Sequence, residues 1–184
     1  MDEMKGKVAL VTGASSGIGR AAAVKFASEG AQVALVARRA DKLAEVAQEI
    51  EAKGGVCMVI AADVTREEEI DRAVRETVAA FGGIDVLVNA AGIIANGTIE
   101  HTRLADWDAM FDINVRSPFY LIQRALPHLI ERKGNIVSVS SVTGIRAFPN
   151  VLAYCASKAA LDQLTHCAAL EVANKGVRIN AVNP

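Results

Sequence analysis

The chain has 184 residues, 52% of them hydrophobic and 22% charged, which is enough apolar surface to bury a core and too much for a disordered segment. Its 20 Lys and Arg against 21 Asp and Glu leave a formal charge of −1, and only 4% of residues are aromatic. Neither the basic face nor the stacking platform of a nucleic-acid binder is therefore expected. No apolar run is long enough to span a bilayer, and Met1-Asp2-Glu3-Met4-Lys5 is too polar for a signal peptide. Cys57, Cys155 and Cys167 are odd in number and lack metal-ligand spacing, as do His101, His128 and His166. Free thiols in a reducing cytoplasm and no bound metal are the expectation.

Strands and helices alternate along the chain. Lys7–Thr12 is a short apolar strand ending at Gly13. A helix begins near Gly17, with Ile18, Ala22 and Phe26 on one face, and Gly30 stops it. Gln32–Ala37 is a second strand. Leu43, Val46, Ala47 and Ile50 stripe a second helix, closed by Gly54-Gly55. Val56–Ala61 is a third strand. Thr65-Arg66-Glu67-Glu68 reads as a capping box before a helix carrying Ile70, Val74, Thr77 and Phe81, which Gly82-Gly83 ends. Ile84–Asn89 is a fourth strand. Thr102 to about Glu131 is helical, with a bend before Pro118, and Asn135–Ser140 is a fifth strand. Ala153–Asn174 is a helix, and Val177–Val182 a sixth strand. The Val/Ile/Leu runs predict strands buried on both faces in a parallel, doubly wound α/β sheet, with 1–184 as a single domain.

After the first strand comes Thr12-Gly13-Ala14-Ser15-Ser16-Gly17-Ile18-Gly19. Glycines let such a turn approach a pyrophosphate, and the following helix offers free N–H groups and a positive dipole end. The spacing is G-x-x-x-G-x-G rather than the standard G-x-G-x-x-G. A tight turn with no ligand is the competing reading. At the end of the second strand, where an NAD site usually has an acid, stands Val36-Ala37-Arg38-Arg39. A guanidinium can bind a 2′-phosphate that a carboxylate would repel, so NADP(H) is favoured and NAD(H) is the alternative.

Taken together these residues resemble the short-chain dehydrogenase/reductase family, of the 3-oxoacyl-acyl-carrier-protein reductase type, over the whole chain. Thr12–Gly19 is similar to the family's cofactor turn, and Asp63-Val64 to its adenine contact. Asn89-Ala90-Ala91-Gly92 resembles the motif after the fourth strand, although the commoner form has Asn where Ala90 stands. Asn114 matches the helix Asn of the family's active site. Ser140-Ser141 carries the serine, and Tyr154-Cys155-Ala156-Ser157-Lys158 the Tyr-x-x-x-Lys signature. The family's serine usually lies thirteen residues before the tyrosine. That gives Ser141 the catalytic role and leaves Ser140 on the other side of the strand or as a secondary contact. The resemblance implies a Rossmann-type doubly wound parallel sheet and an oxidoreductase acting on a carbonyl or alcohol substrate.

Tyr154 and Lys158 are four apart, so a helix places them on one face. An ordinary phenol is too weak an acid for proton transfer near neutrality, and a neighbouring ammonium favours the phenolate. Tyr154 would exchange a proton with the carbonyl oxygen, and Ser141 would hold that oxygen. The resemblance implies that Lys158 binds the nicotinamide ribose and that Asn114 holds a water relaying protons to Lys158. It also implies a homotetramer or homodimer; Leu121, Ile122, Leu126 and Leu129 fit burial between subunits, and core packing explains them nearly as well. Family members continue past the position of Pro184. The sequence is therefore expected to lack the last strand and the C-terminal substrate segment, and activity of this chain alone is in doubt. Rival readings are a non-enzymatic dinucleotide-binding module and an inactive fragment.

Overall fold

Runs of β-branched and aliphatic residues form the strands of the computed structural model, which describes residues 4–184; the reading of Met1–Glu3 lies outside the described residues. The strands are β1 (Val8–Thr12), β2 (Gln32–Ala37), β3 (Val56–Ala61), β4 (Val86–Asn89), β5 (Asn135–Val139) and β6 (Arg178–Val182). All pair in parallel in the order β3-β2-β1-β4-β5-β6. The helices are α1 (Gly17–Ser28), α2 (Ala40–Glu51), α3 (Glu67–Phe81), α4 (Leu104–Phe111), α5 (Ser117–Arg132) and α6 (Leu152–Val172).

Side chains on successive strand positions pack on opposite faces. Ala9, Val11, Val33 and Leu35 meet Ala23 and Ala27 of α1 and the Leu43–Ile50 stripe of α2. Leu10, Ala34, Val36, Leu87 and Ile136 meet Ile70 and Val74 of α3, Leu121, Ala125 and Leu129 of α5, and Val172 of α6. The expected doubly wound α/β architecture is therefore present. Its strand order reverses direction between β1 and β4, the place where such sheets hold ligands beyond their carboxyl ends.

The structure corrects several expectations. Burial on both faces holds for β1 and most of β2, but β3 is an edge strand, with Val56 50% and Val59 39% exposed. The buried side of α1 is Gly19, Ala23 and Ala27, one position along from the expected stripe, because Gly19 must press against the preceding turn. Ile18 is thereby turned out toward the carboxyl ends of the strands. No capping box forms at Thr65: Arg66 is the N-cap and makes no side-chain cap bond. The Thr65 hydroxyl donates instead to Asp63 Oδ1, and Glu69 accepts the Asp63 N–H at 2.6 Å. Of the two readings open for Leu121, Ile122, Leu126 and Leu129, core packing holds: the first, second and fourth are buried in this chain's own core and Leu126 packs against it. Where a bend was expected before Pro118, a π-helical turn at Asp112–Arg116 interrupts the α-helical stretch.

At the opposite end of the sheet, buried Asp85 accepts from Lys7 Nζ and from the Val8 N–H, each at 3.0 Å. Removing the carboxylate leaves that buried N–H without its partner. Asp85→Ala is expected to destabilise the fold by about 2–3 kcal/mol in urea unfolding, and a loss near zero would refute a structural role for this pair.

Candidate functional site

The turn after β1 and the segment after β4 touch through backbone. Gly13 has φ +67°, and a Cβ there would sit 2.7 Å from Ala90. Thr12 Oγ1 donates to the Val88 carbonyl at 3.3 Å and accepts the N–H groups of Ala90 and Ala91 at 3.2 and 3.3 Å. Beneath them Gly19 brings α1 so close that a Cβ would lie 2.5 Å from the Gly13 carbonyl oxygen. Ser16 is the N-cap of α1 but makes no side-chain cap bond. Its hydroxyl and that of Ser15 instead accept from Arg39 Nη2 at 3.2 and 3.1 Å. The guanidinium thus lies across the mouth of the turn, and the Ser16 side chain leaves the start of α1 uncapped.

A cleft of about 470 Å³ opens there. It is walled by Gly13, Ser15, Ser16, Gly17 and Ile18 on one side and by Ala90, Ala91, Gly92 and Ile93 on the other, with Arg38, Arg39, Asp63 and Val64 at its far end. Burial pushes the Asp63 carboxyl up. The Thr65 N–H and hydroxyl, together with Arg38 and Arg66, more than offset this and hold it below the usual carboxylate range. The cleft has the volume of a small-molecule site, and the uncapped helix start supplies N–H groups for phosphate oxygens. The residues present fit a dinucleotide.

A second cleft of about 250 Å³ continues from the first, sharing Ile18, Ala90, Gly92, Ile93 and Val139 as walls. Ser140, Ser141, Tyr154 and Lys158 line it. Lys158 Nζ lies 5.6 Å from the centre of the Tyr154 ring and donates to the Val139 carbonyl at 2.7 Å. Burial pushes the Lys158 ammonium down to about 8, against the pull of the Asp162 carboxylate one helical turn away. Ser141 Oγ accepts the Thr143 N–H, and its own hydrogen has no acceptor among the described residues. Ser140 Oγ donates to the Lys158 carbonyl at 3.3 Å.

Three expected site residues lie under the clefts rather than in them. Gly19 packs beneath the turn, and Asn89 is 3% exposed with its amide donating to Ser138 Oγ. Asn114 sits in the π-helical turn and is fully buried. Its Oδ1 accepts the Ile93 N–H, and its Nδ2 donates to the Ile93 carbonyl and to Ser157 Oγ, all at 3.0 Å. Both amide hydrogens are therefore engaged within the protein, and the side chain fixes the Gly92–Ile93 floor of the cleft. No candidate site residue in the sequence reading included Thr12, Ile93, Ser157 or Asp162. Thr12 and Ser157 lie inside motifs that were legible as patterns, while Asp162 repeats the four-residue spacing of Tyr154 and Lys158.

A sequence model described as short chain dehydrogenase matches residues 7–184. The chain belongs to that family. Among its relatives is the 3-oxoacyl-[acyl-carrier-protein] reductase FabG of Staphylococcus epidermidis, 40% identical over 97% of this chain and 74% of that protein. The crystal structure of a dehydrogenase/reductase from Sinorhizobium meliloti is 41% identical, with TM-score 0.95 over 100% of this chain and 74% of that one. NAD+-bound xylitol dehydrogenase is 35% identical, with TM-score 0.96 over 99% and 71%. The chain spans between 60% and 80% of the length of the curated relatives it matches.

In this short-chain dehydrogenase the buried ammonium of Lys158 leaves a mark on stability. Its folded value of about 8 lies below the ordinary 10.5, so between those values the unfolded chain binds more protons and stability rises with pH. Below about pH 8 both states carry the charge and the burial cost stands in full. Lys158→Met is expected to remove this rise. Urea unfolding at pH 7 and pH 10 should show the parent chain gaining on the variant as pH increases, and parallel curves would contradict a buried ammonium.

Proposed function

We propose that this short-chain dehydrogenase, as a single NAD(P)-binding domain, is an NADP(H)-dependent oxidoreductase. It reduces a ketone or oxidises a secondary alcohol, of the 3-oxoacyl thioester or general carbonyl type. The observation that carries this reading is the continuity of the two clefts: the groove walled by the glycine turn runs into the pocket that holds Tyr154 and Lys158. When bound, the nicotinamide supplies the hydride for reduction or accepts it for oxidation.

The protein's own groups do the rest. The start of α1 and Gly13, Ser15, Ser16 and Gly17 receive the pyrophosphate. Arg38 and Arg39 would hold the 2′-phosphate with their guanidinium charge. Asp63 and Val64 face the adenine, and Ala90, Ala91 and Gly92 line the path to the second cleft. Tyr154 Oη exchanges a proton with the carbonyl oxygen. The free hydroxyl hydrogen of Ser141 holds that oxygen. Lys158 gives one N–H to Val139 and keeps two for ribose hydroxyls. Asn114 keeps the Gly92–Ile93 floor in place.

NAD(H) is the second reading, favoured by the likeness to NAD+-bound xylitol dehydrogenase. The free thiols Cys57, Cys155 and Cys167 support a reducing cytoplasm. Exposed Phe119 on α5 and Leu170 on α6 support association as a homodimer or homotetramer.

Fluorescence titration with NADPH and NADH tests the cofactor, and turnover of an acetoacetyl thioester against a simple ketone tests the substrate. NADPH is expected to bind more tightly, with Arg38→Asp weakening it by roughly tenfold or more and leaving NADH little changed. Tyr154→Phe is expected to lower carbonyl reduction by at least about 100-fold with cofactor affinity retained. Equal affinities that Arg38→Asp does not move would rule out the NADP(H) preference, and full activity in Tyr154→Phe would rule out its proton role.

A further inference from the structure

On α6, Asp162 continues the stripe that begins with Tyr154 and Lys158, at a spacing of four residues that stacks side chains on one face. It is only 9% exposed, an unusual place for a carboxylate unless it has a counter-charge and hydrogen-bond donors. Its Oδ2 accepts from Asn183 Nδ2 at 3.0 Å. The same nitrogen donates to the Ser141 carbonyl, also at 3.0 Å. Its Oδ1 is buried with no hydrogen-bond partner among the described residues. A Cβ on Gly144 would collide with Oδ2, so the short helical turn Val142–Gly144, which follows Ser141, rests directly on the carboxylate. A neutral side chain could fill this space without the desolvation cost of a charge.

We infer that Asp162 is a positioning residue of the site. Through Asn183 it seats the loop that presents Ser141, and it stands one helical turn from Lys158 on the same stripe of α6, a role that rests on the oxidoreductase reading of those two residues. The surroundings support the pairing. Tyr154 lies on the same helix as Lys158, and Asp162 is the charged group whose field acts on its amine. The loop after β5 brings Ser140 and Ser141 and the Val139 carbonyl. The π-helical turn brings the Asn114 amide, while its charged residues Asp112 and Arg116 are exposed. Asp162 therefore offsets part of the burial that disfavours a charged Lys158.

The test is 13C NMR of ε-labelled lysine in the chain itself, with Lys158 assigned by its disappearance in Lys158→Met. Asp162→Asn is expected to move the Lys158 midpoint to lower pH by about one unit. It should also move the alkaline limb of carbonyl reduction the same way and lower kcat more than it raises the cofactor KM. Asp162→Glu, which keeps the charge, should restore much of the midpoint. An unmoved Lys158 midpoint in a folded Asp162→Asn chain overturns the role of Asp162. Should that variant not fold, the parent chain decides: the Asp162 carboxyl 13C resonance is expected to show an inflection at the Lys158 midpoint, and its absence overturns the coupling. Lack of any carbonyl turnover by the parent chain would count against the oxidoreductase reading, while the Lys158 titration still decides for or against Asp162.

Discussion

Gly13 meets Ala90 at a separation no side chain could share, and Thr12 ties the two segments with three hydrogen bonds from one hydroxyl. This close approach of two strand ends decides where everything else at the site can be. It sets the width of the cleft, fixes the start of α1 beneath it, and leaves Ala90, Ala91 and Gly92 as a wall of backbone and small side chains. A sheet whose order reverses between β1 and β4 creates a gap at that point. Glycine and threonine then narrow the gap to a groove suited to a long, flat ligand.

Much of this was readable in the residues. The strand runs, the α2 and α3 stripes and the strand–helix alternation all reappear, because they reflect burial on a period of 2 or 3.6 that tertiary packing reinforces. The expected groove residues from Gly13 to Ile18 and from Ala90 to Gly92 do line one cleft. What failed did so where a local rule met a stronger neighbour. Thr65 was free to cap a helix until Asp63 engaged its hydroxyl. The α1 stripe slipped one position because Gly19 had to reach the turn. For Leu121 and Leu129 core packing and burial between subunits stayed open, because the sequence cannot show how much helix surface a six-stranded sheet consumes. Asn89 and Asn114 read as site residues and lie buried beneath the clefts, a placement that a motif cannot show because it gives order along the chain and not depth beneath a surface.

The second cleft is built around a buried ammonium. Lys158 sits among the Val139 carbonyl, the Tyr154 ring and the Asp162 carboxylate, and burial still draws it down to about 8. Such a group weakens the folded state at neutral pH, and the polar partners around it reduce that cost without removing it. Sites that hold charge ready for chemistry commonly carry this kind of local instability. Here it is confined to α6, where Ser157 and Asp162 are buried beside it.

The π-helical turn at Asp112–Arg116 is also a spacing device. A wide turn holds one residue more than an α-helix needs, so the helical stretch from α4 through α5 contains a single-residue register shift. Asn114 lies inside that shift, and its three bonds to Ile93 and Ser157 exist because the shift rotates it inward. The length of this stretch is therefore tuned to the integer. One residue fewer would let the helix close into an ordinary α turn and rotate Asn114 by about 100° off the cleft floor, with every side chain elsewhere unchanged.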